Sequence, residues 1–410
     1  MTDPGERHAS WLELFFDLVA VVAVAQLAHR LQHPTWLDVA LFALLYYAVW
    51  SVWTSMSLYA NVRGDKTRVR SMLLCMFGIA VMAAAAPDVG HALGSGTGDN
   101  THDPWFIAAY VFCRAVAARS LQGSGNILIS WPSVHIGVGV IPWVASLWID
   151  PPAPGDPVAW RYVLWGLGVV LDLTFTIHAS LSPDRVVKQA QEQAERLRKR
   201  EESRRGHGLR TQEITVPTAA ILHPAHLGER LGLFVIIVLG EAVMQVVVAA
   251  SGKSWVKELG LAALGGFGLI VALWWLTLQY GLSAVPDASE KGLKPAVALP
   301  AHYVMTAGIT ATAAGLGVVA EAPSAHLHGG IVWVLCGGLA LYFLASAVLG
   351  VANRAERRWL WGWALPTVVA PPVVAAIAGL VQAWLVVALL ALVALWRVIY
   401  RASTPAPAEA

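Results

Sequence analysis

The chain has 410 residues, of which 57% are hydrophobic and only 13% charged, with a formal net charge of +2. Soluble domains carry about 25% charged residues, so this composition excludes an ordinary water-soluble domain and points to a chain that buries long apolar runs in a bilayer. The small net charge identifies no partner, whereas its distribution along the chain does carry information.

The first eight residues are mostly polar. A first helix is expected over about Trp11–Leu31; its acidic start and the lack of a small-residue cleavage pattern mark it as a retained helix rather than a signal peptide. A second runs over about Trp36–Tyr59, and a basic loop follows with Arg63, Lys66, Arg68 and Arg70. Helix three covers about Ser71–Pro87, helix four Pro104–Leu121 with Arg114 and Arg119, and helix five Trp131–Ile149 with Pro142 as a kink. A Pro-rich acidic turn leads to helix six, about Val158–Leu181. Composition then changes: the segment from Asp184 to Arg210 is crowded with Lys, Arg, Glu and Gln and reads as a solvated helix or extension and a linker. The apolar rhythm resumes with helices over about Glu229–Ala250, Trp255–Gly281, Val297–Ala320, Gly330–Gly350, Trp359–Gly379 and Val381–Ile399.

The expected fold is therefore an all-α polytopic bundle of about twelve transmembrane helices. It divides into a first half (1–182), a charged cytoplasmic linker (183–225), a second half (226–402) and a disordered tail (403–410). Lys and Arg gather in alternate loops, and the loops at 88–103, 150–156 and 321–329 hold none, which places both termini on the cytoplasmic side of the membrane. Arg30, Arg161, Lys253 and Lys257 are exceptions near the outer helix ends. The basic linker is what this topology requires, so no nucleic-acid partner is expected. Six helices on either side of it admit a parallel internal repeat.

Cys75, Cys113 and Cys336 fall inside apolar runs and read as core residues, not as a disulfide framework or metal site. There is no P-loop, dinucleotide fingerprint, HExxH or nucleophile elbow, so no cofactor or metal is expected. The pair His29 and His33 offers two ligands, too few for a zinc site.

Ionisable residues inside apolar runs carry what chemistry there is. Glu241 lies near the middle of its helix, with Gln245 one turn on, on the same face, and Glu229 at the entry. A carboxylate at that depth costs roughly 3 kcal/mol and should face protein or water rather than lipid. Glu13 and Asp17 are four apart at the start of helix one; two carboxylates that close repel unless a cation or proton lies between them. Arg114 is an obvious counter-charge, to Asp17 or Asp172. Asp172, His178 and His302 complete a set concentrated in the cytoplasmic half, as in a polar cavity open to that side; buried ion pairs that merely fix packing are the alternative.

The stretches WLELFFDLVAVVAVAQL (11–27) and HLGERLGLFVIIVLGEAV (226–243) together resemble the bacterial low temperature requirement A (LtrA) family. The residues that carry the resemblance are Glu13, Phe16, Asp17, Glu229, Arg230, Gly240 and Glu241. The resemblance implies a multi-pass bacterial inner-membrane protein and leaves its activity open. Where members carry an acidic residue shortly after a tryptophan pair, this chain has Gln279 after Trp274 and Trp275. The leading expectation is a transporter or channel-like protein in the lipid bilayer. Glu241, Asp17 and Glu13 would bind a proton or cation, and Arg114 would act as counter-charge to an ion or small-molecule substrate. The alternative is an embedded enzyme that acts on a lipid or isoprenoid-like substrate by carboxylate acid–base catalysis. A third reading is a sensor or assembly factor whose polar network is structural.

Overall fold

The computed structural model describes residues 9–90, 102–122, 126–127, 137–150, 159–181, 218–220, 222–280 and 295–403, with isolated positions between 188 and 198. Most of the charged linker, the acidic turn at 151–156, the stretch from Trp131 to Ile136 and the tail beyond 403 lie outside the described residues.

The protein is all-α. Its helices are α1 (Trp11–Arg30), α2 (Trp36–Arg63), α3 (Val69–Ala85), α4 (Asp103–Gln122), α5 (Val140–Ala145), α6 (Trp160–Leu181), α7 (Pro224–Ala250), α8 (Lys257–Trp274), α9 (Pro295–Glu321), α10 (Gly330–Ala352), α11 (Arg357–Leu380) and α12 (Ala383–Ser403). Among the described residues, ten helices are long and apolar enough to cross a membrane. The two left out are α4, whose 20 residues include Asp103, Arg114 and Arg119, and the short α5. The extended pairing at Asn126–Ile127 with Thr218–Ala219 spans two residues.

Helix boundaries follow local chemistry. In α2, Thr35 and Asp38 cap the start reciprocally: the Asp38 N–H donates to Thr35 Oγ1 at 3.2 Å and the Thr35 N–H to Asp38 Oδ2 at 3.0 Å. Pro224 opens α7 five residues before Glu229, at a first-turn position where a missing N–H costs nothing. Helix five departs from expectation in its described part: Val140–Ala145 runs straight into a tight turn at Ser146–Trp148. Pro142 sits in the first turn of that short helix, so it starts a helix instead of kinking one. In α11, which carries Pro366, Pro371 and Pro372, the backbone passes through a π turn at Leu360–Ala364. Thr367 Oγ1 donates back to the Trp363 carbonyl at 3.0 Å, which satisfies the buried hydroxyl within its own helix.

The chain forms two compact units. The first comprises residues 1–20 and 47–227, the second residues 21–46 and 228–410, so α1 and α2 each contribute to both. In the first unit, α3 and α4 approach where Gly78 faces Cys113, and α5 and α6 where Gly139 faces the Gly168 carbonyl. In the second, α9 and α10 run antiparallel in close contact: a Cβ on Gly308 would lie 2.6 Å from the Gly338 carbonyl oxygen, and one on Gly315 would lie 2.6 Å from Leu335 Cβ. Without a hydrophobic drive between helices in lipid, such small-residue contacts supply the van der Waals packing that joins them. Helices α7 and α9 run parallel, with Leu231 level with His302 and Gln245 level with Gly317.

Gly308→Ala should separate α9 from α10 and cost about 1–3 kcal/mol, the usual range for overpacking. Gly268→Ala on α8, where an added Cβ meets nothing within 4 Å, should leave stability unchanged or slightly raised. Thermal unfolding of the two variants in the same detergent checks the contrast.

Candidate functional site

In the first unit the polar groups are joined in pairs. Arg114 on α4 and Asp172 on α6 are both buried, and the guanidinium nitrogens Nη1 and Nη2 lie 2.9 and 3.1 Å from the two carboxylate oxygens. Nη2 donates to Oδ1, and Nη1 adds a close charge contact to Oδ2. The Tyr47 hydroxyl on α2 donates to Asp172 Oδ2 at 3.0 Å. Gly139 makes the approach possible, since a Cβ there would lie 2.7 Å from Asp172 Cβ and Cγ. Arg114 also lies 6.0 Å from the Tyr110 ring. That ring packs 4.8 Å from Trp143, which stacks on Trp165 at 4.7 Å. The ion pair is thus held within an aromatic wall that excludes water.

Glu13 and Asp17, though one helical turn apart, have different partners. The Trp53 indole N–H donates to Asp17 Oδ1 at 2.7 Å. Glu13 Oε2 lies 2.9 Å from His226 Nε2, both fully buried. The histidine's tautomer follows from its neighbours. Asn61 accepts the His223 N–H at Oδ1 (2.9 Å) and donates from Nδ2 to the His223 carbonyl (3.0 Å), which fixes which end of the amide is which. Its Nδ2 then also faces His226 Nδ1 at 3.0 Å, so Nδ1 accepts and the proton sits on Nε2, donated to Glu13. The arrangement fastens the first turn of α7 to α1 and α2 within this unit.

The second unit holds the mid-helix carboxylate. Glu241 is buried on α7, and Gln245 donates from Nε2 to its Oε1 at 2.6 Å. Gln245 Oε1 in turn accepts from Gln32 Nε2 at 2.9 Å. Among the described residues no cation pairs with Glu241. His302 on α9 is buried and donates from Nε2 to the Leu231 carbonyl at 3.1 Å, with Phe234 5.5 Å from its ring. Glu229 is half-buried in the second turn of α7, and His178 is exposed in the last turn of α6. The structure thus brings together Arg114 with Asp172, and Glu241 with Gln245, within their units. It gives Glu13 and Asp17 partners the sequence did not suggest. Among the described residues no group of three or more His, Cys, Asp or Glu side chains is placed to hold a metal ion.

Sequence reasoning missed Tyr47, Trp53, Asn61, His226 and Gln32. A signal was present on α2: Tyr47, Ser51, Thr54 and Asn61 recur at helical spacing and all are buried. His226 stood in the quoted HLGERLG stretch but read as a residue outside its helix. Gln32 carried no signal, since a glutamine just past a helix end is ordinarily solvated.

Removing one partner of a buried ion pair leaves the other uncompensated, so Asp172→Asn should lose about 3–5 kcal/mol of stability. The exposed pair of Lys253 with Glu321, at 3.8 Å, should matter far less, with Glu321→Gln costing under about 1 kcal/mol. Denaturant unfolding in mixed micelles measures both.

Comparison with known proteins places the chain. No solved structure matches it. It is 25% identical over 324 residues to the uncharacterized protein RA0937 of Rhizobium meliloti (strain 1021), covering 74% of this chain and 66% of that protein, just under two thirds of its length. The model of the family described as bacterial low temperature requirement A protein (LtrA) matches residues 8–395, nearly the whole chain, and the protein therefore belongs to the LtrA family of multi-pass membrane proteins.

Proposed function

We propose that the protein is a transporter or channel-like protein of the bacterial inner membrane, in which Glu241 takes up and releases a proton or small cation. The observation that carries this reading is the contrast among the buried carboxylates. Asp172 and Asp103 are each held by a buried guanidinium and a phenol. Glu241 is held, among the described residues, by one neutral carboxamide. A permanent guanidinium would neutralise a carboxylate and keep it neutralised. A carboxamide orients the group without cancelling its charge, which leaves a site whose charge a mobile cation or proton can complete. An ionisable group within a span is a functional candidate on these grounds.

Cytoplasmic termini follow from the Lys and Arg distribution. Three of its four exceptions have acidic neighbours: Arg30 lies 3.1 Å from Asp38, Arg161 3.1 Å from Asp103 and Lys253 3.8 Å from Glu321. A cavity of about 980 Å³ in the second unit is lined by apolar side chains such as Trp36, Phe42, Trp333 and Leu344, with Tyr303 and His328, and by no carboxylate. Carboxylate acid–base catalysis on a lipid therefore finds no acid at that cavity.

Reconstituted wild-type protein should pass protons or potassium under an imposed gradient, and Glu241→Gln should lower that rate by about tenfold or more while elution and thermal stability persist. Internal-pH recording in liposomes reads the flux. Equal flux from the two folded proteins would overturn the assignment.

A further inference from the structure

The carboxamides that end at Glu241 also have a direction. We propose that Gln245 and Gln32 form the access path to Glu241, so that a proton or small cation reaches this carboxylate from the membrane face that carries the α1–α2 loop. This rests on Glu241 as the ion site and adds the side of approach and two positioning residues.

The hydrogen-bond order follows from chemistry. An ionised carboxylate only accepts, so Gln245 must present its NH₂ group to Glu241, as it does at 2.6 Å. That leaves Gln245 Oε1 to accept the Gln32 NH₂ group at 2.9 Å. Both amides donate toward Glu241, and Gln245 offers its oxygen to the next amide out, an order in which neighbouring bonds polarise one another. Gly317 on α9 leaves room for this arrangement, since a Cβ there would lie 3.3 Å from Gln245 Oε1 and 3.4 Å from Gln245 Cβ.

Exposure rises along the same line. Glu241 is buried, Gln245 and Gln32 are partly exposed, and His33 beside Gln32 is exposed. Gln32 lies just past the end of α1, and Gln245 lies near the C-terminal end of α7, so both helices end on this face. From Glu241 to the end of α7 is roughly 13 Å at helical rise, against roughly 25 Å to its start. Toward the helix start the buried neighbours are mostly apolar, Phe234, Val235, Val238 and Leu239, with Arg230 further on, and His302 is bonded to the Leu231 carbonyl there.

The test is thiol accessibility in the full-length protein. Glu241→Cys and, separately, Gln245→Cys are exposed to the membrane-impermeant cation trimethylammonium-ethyl methanethiosulfonate from either side of oriented vesicles. A His33→Cys variant marks the loop face, and peptide mass mapping separates the new thiol from the buried Cys75, Cys113 and Cys336. Reagent on the His33 face should modify both positions, and adding Gln32→Trp should slow modification at position 241 about tenfold, as an apolar constriction does in a pore. Modification from the opposite face, from neither face, or at a rate that Gln32→Trp leaves unchanged would overturn the path. The flux experiment above reads the ion site independently, so a failed path and a failed ion site are distinguishable.

Discussion

Inside a bilayer there is no water to complete an unpaired polar group, and this constraint arranges the protein. The backbone answers it with helices, and the ionisable side chains answer it with partners. The Arg114–Asp172 pair shows the solution: opposite charges, two short contacts, an extra phenol and an aromatic enclosure. Such a pair is weak evidence of stability gained, because desolvation consumes much of the attraction, but strong evidence of a geometry that cannot be loosened cheaply. Tyr47, Arg114 and Asp172 come from α2, α4 and α6, so the pair fixes three helices of the first unit at once.

The second unit is held by shape more than by charge. Gly308 and Gly338 let the α9 and α10 backbones touch, Gly350 seats Trp359 and Gly362 seats Tyr400. Arg397 on α12 is fully buried with its guanidinium 3.4 Å from the Trp363 ring centre and 5.4 Å from that of Trp359, a cation stacked on aromatic faces. Against this tight frame, the line of Gln32, Gln245 and Glu241 stands out because it is polar, directional and only partly enclosed.

Much of the fold was legible because its signal is one-dimensional. Runs of about twenty apolar residues fix spans whatever their neighbours do, and ten of the expected helices reappear as helices able to cross a membrane. Helix five was misread in its described part because an apolar run with a proline cannot by itself tell a kinked span from a short helix that carries the proline in its first turn. Glu241 and its partner Gln245 were legible because a four-residue separation puts them on one face. The division of Glu13 and Asp17 between His226 and Trp53 was not, since it depends on contacts over 213 and 36 residues of sequence. The choice of Asp172 over Asp17 as the partner of Arg114 was hidden for the same reason.

The central claim is that Glu241 differs from the guanidinium-paired carboxylates Asp172 and Asp103: their charge is cancelled, and Glu241 is left to exchange a proton or cation. Infrared difference spectra of the reconstituted protein, recorded in the carboxyl region as pH and then sodium or potassium are changed, address this directly. A carboxyl difference band present in wild type and missing from Glu241→Gln is the predicted result. Identical difference spectra from the two folded proteins would contradict the account.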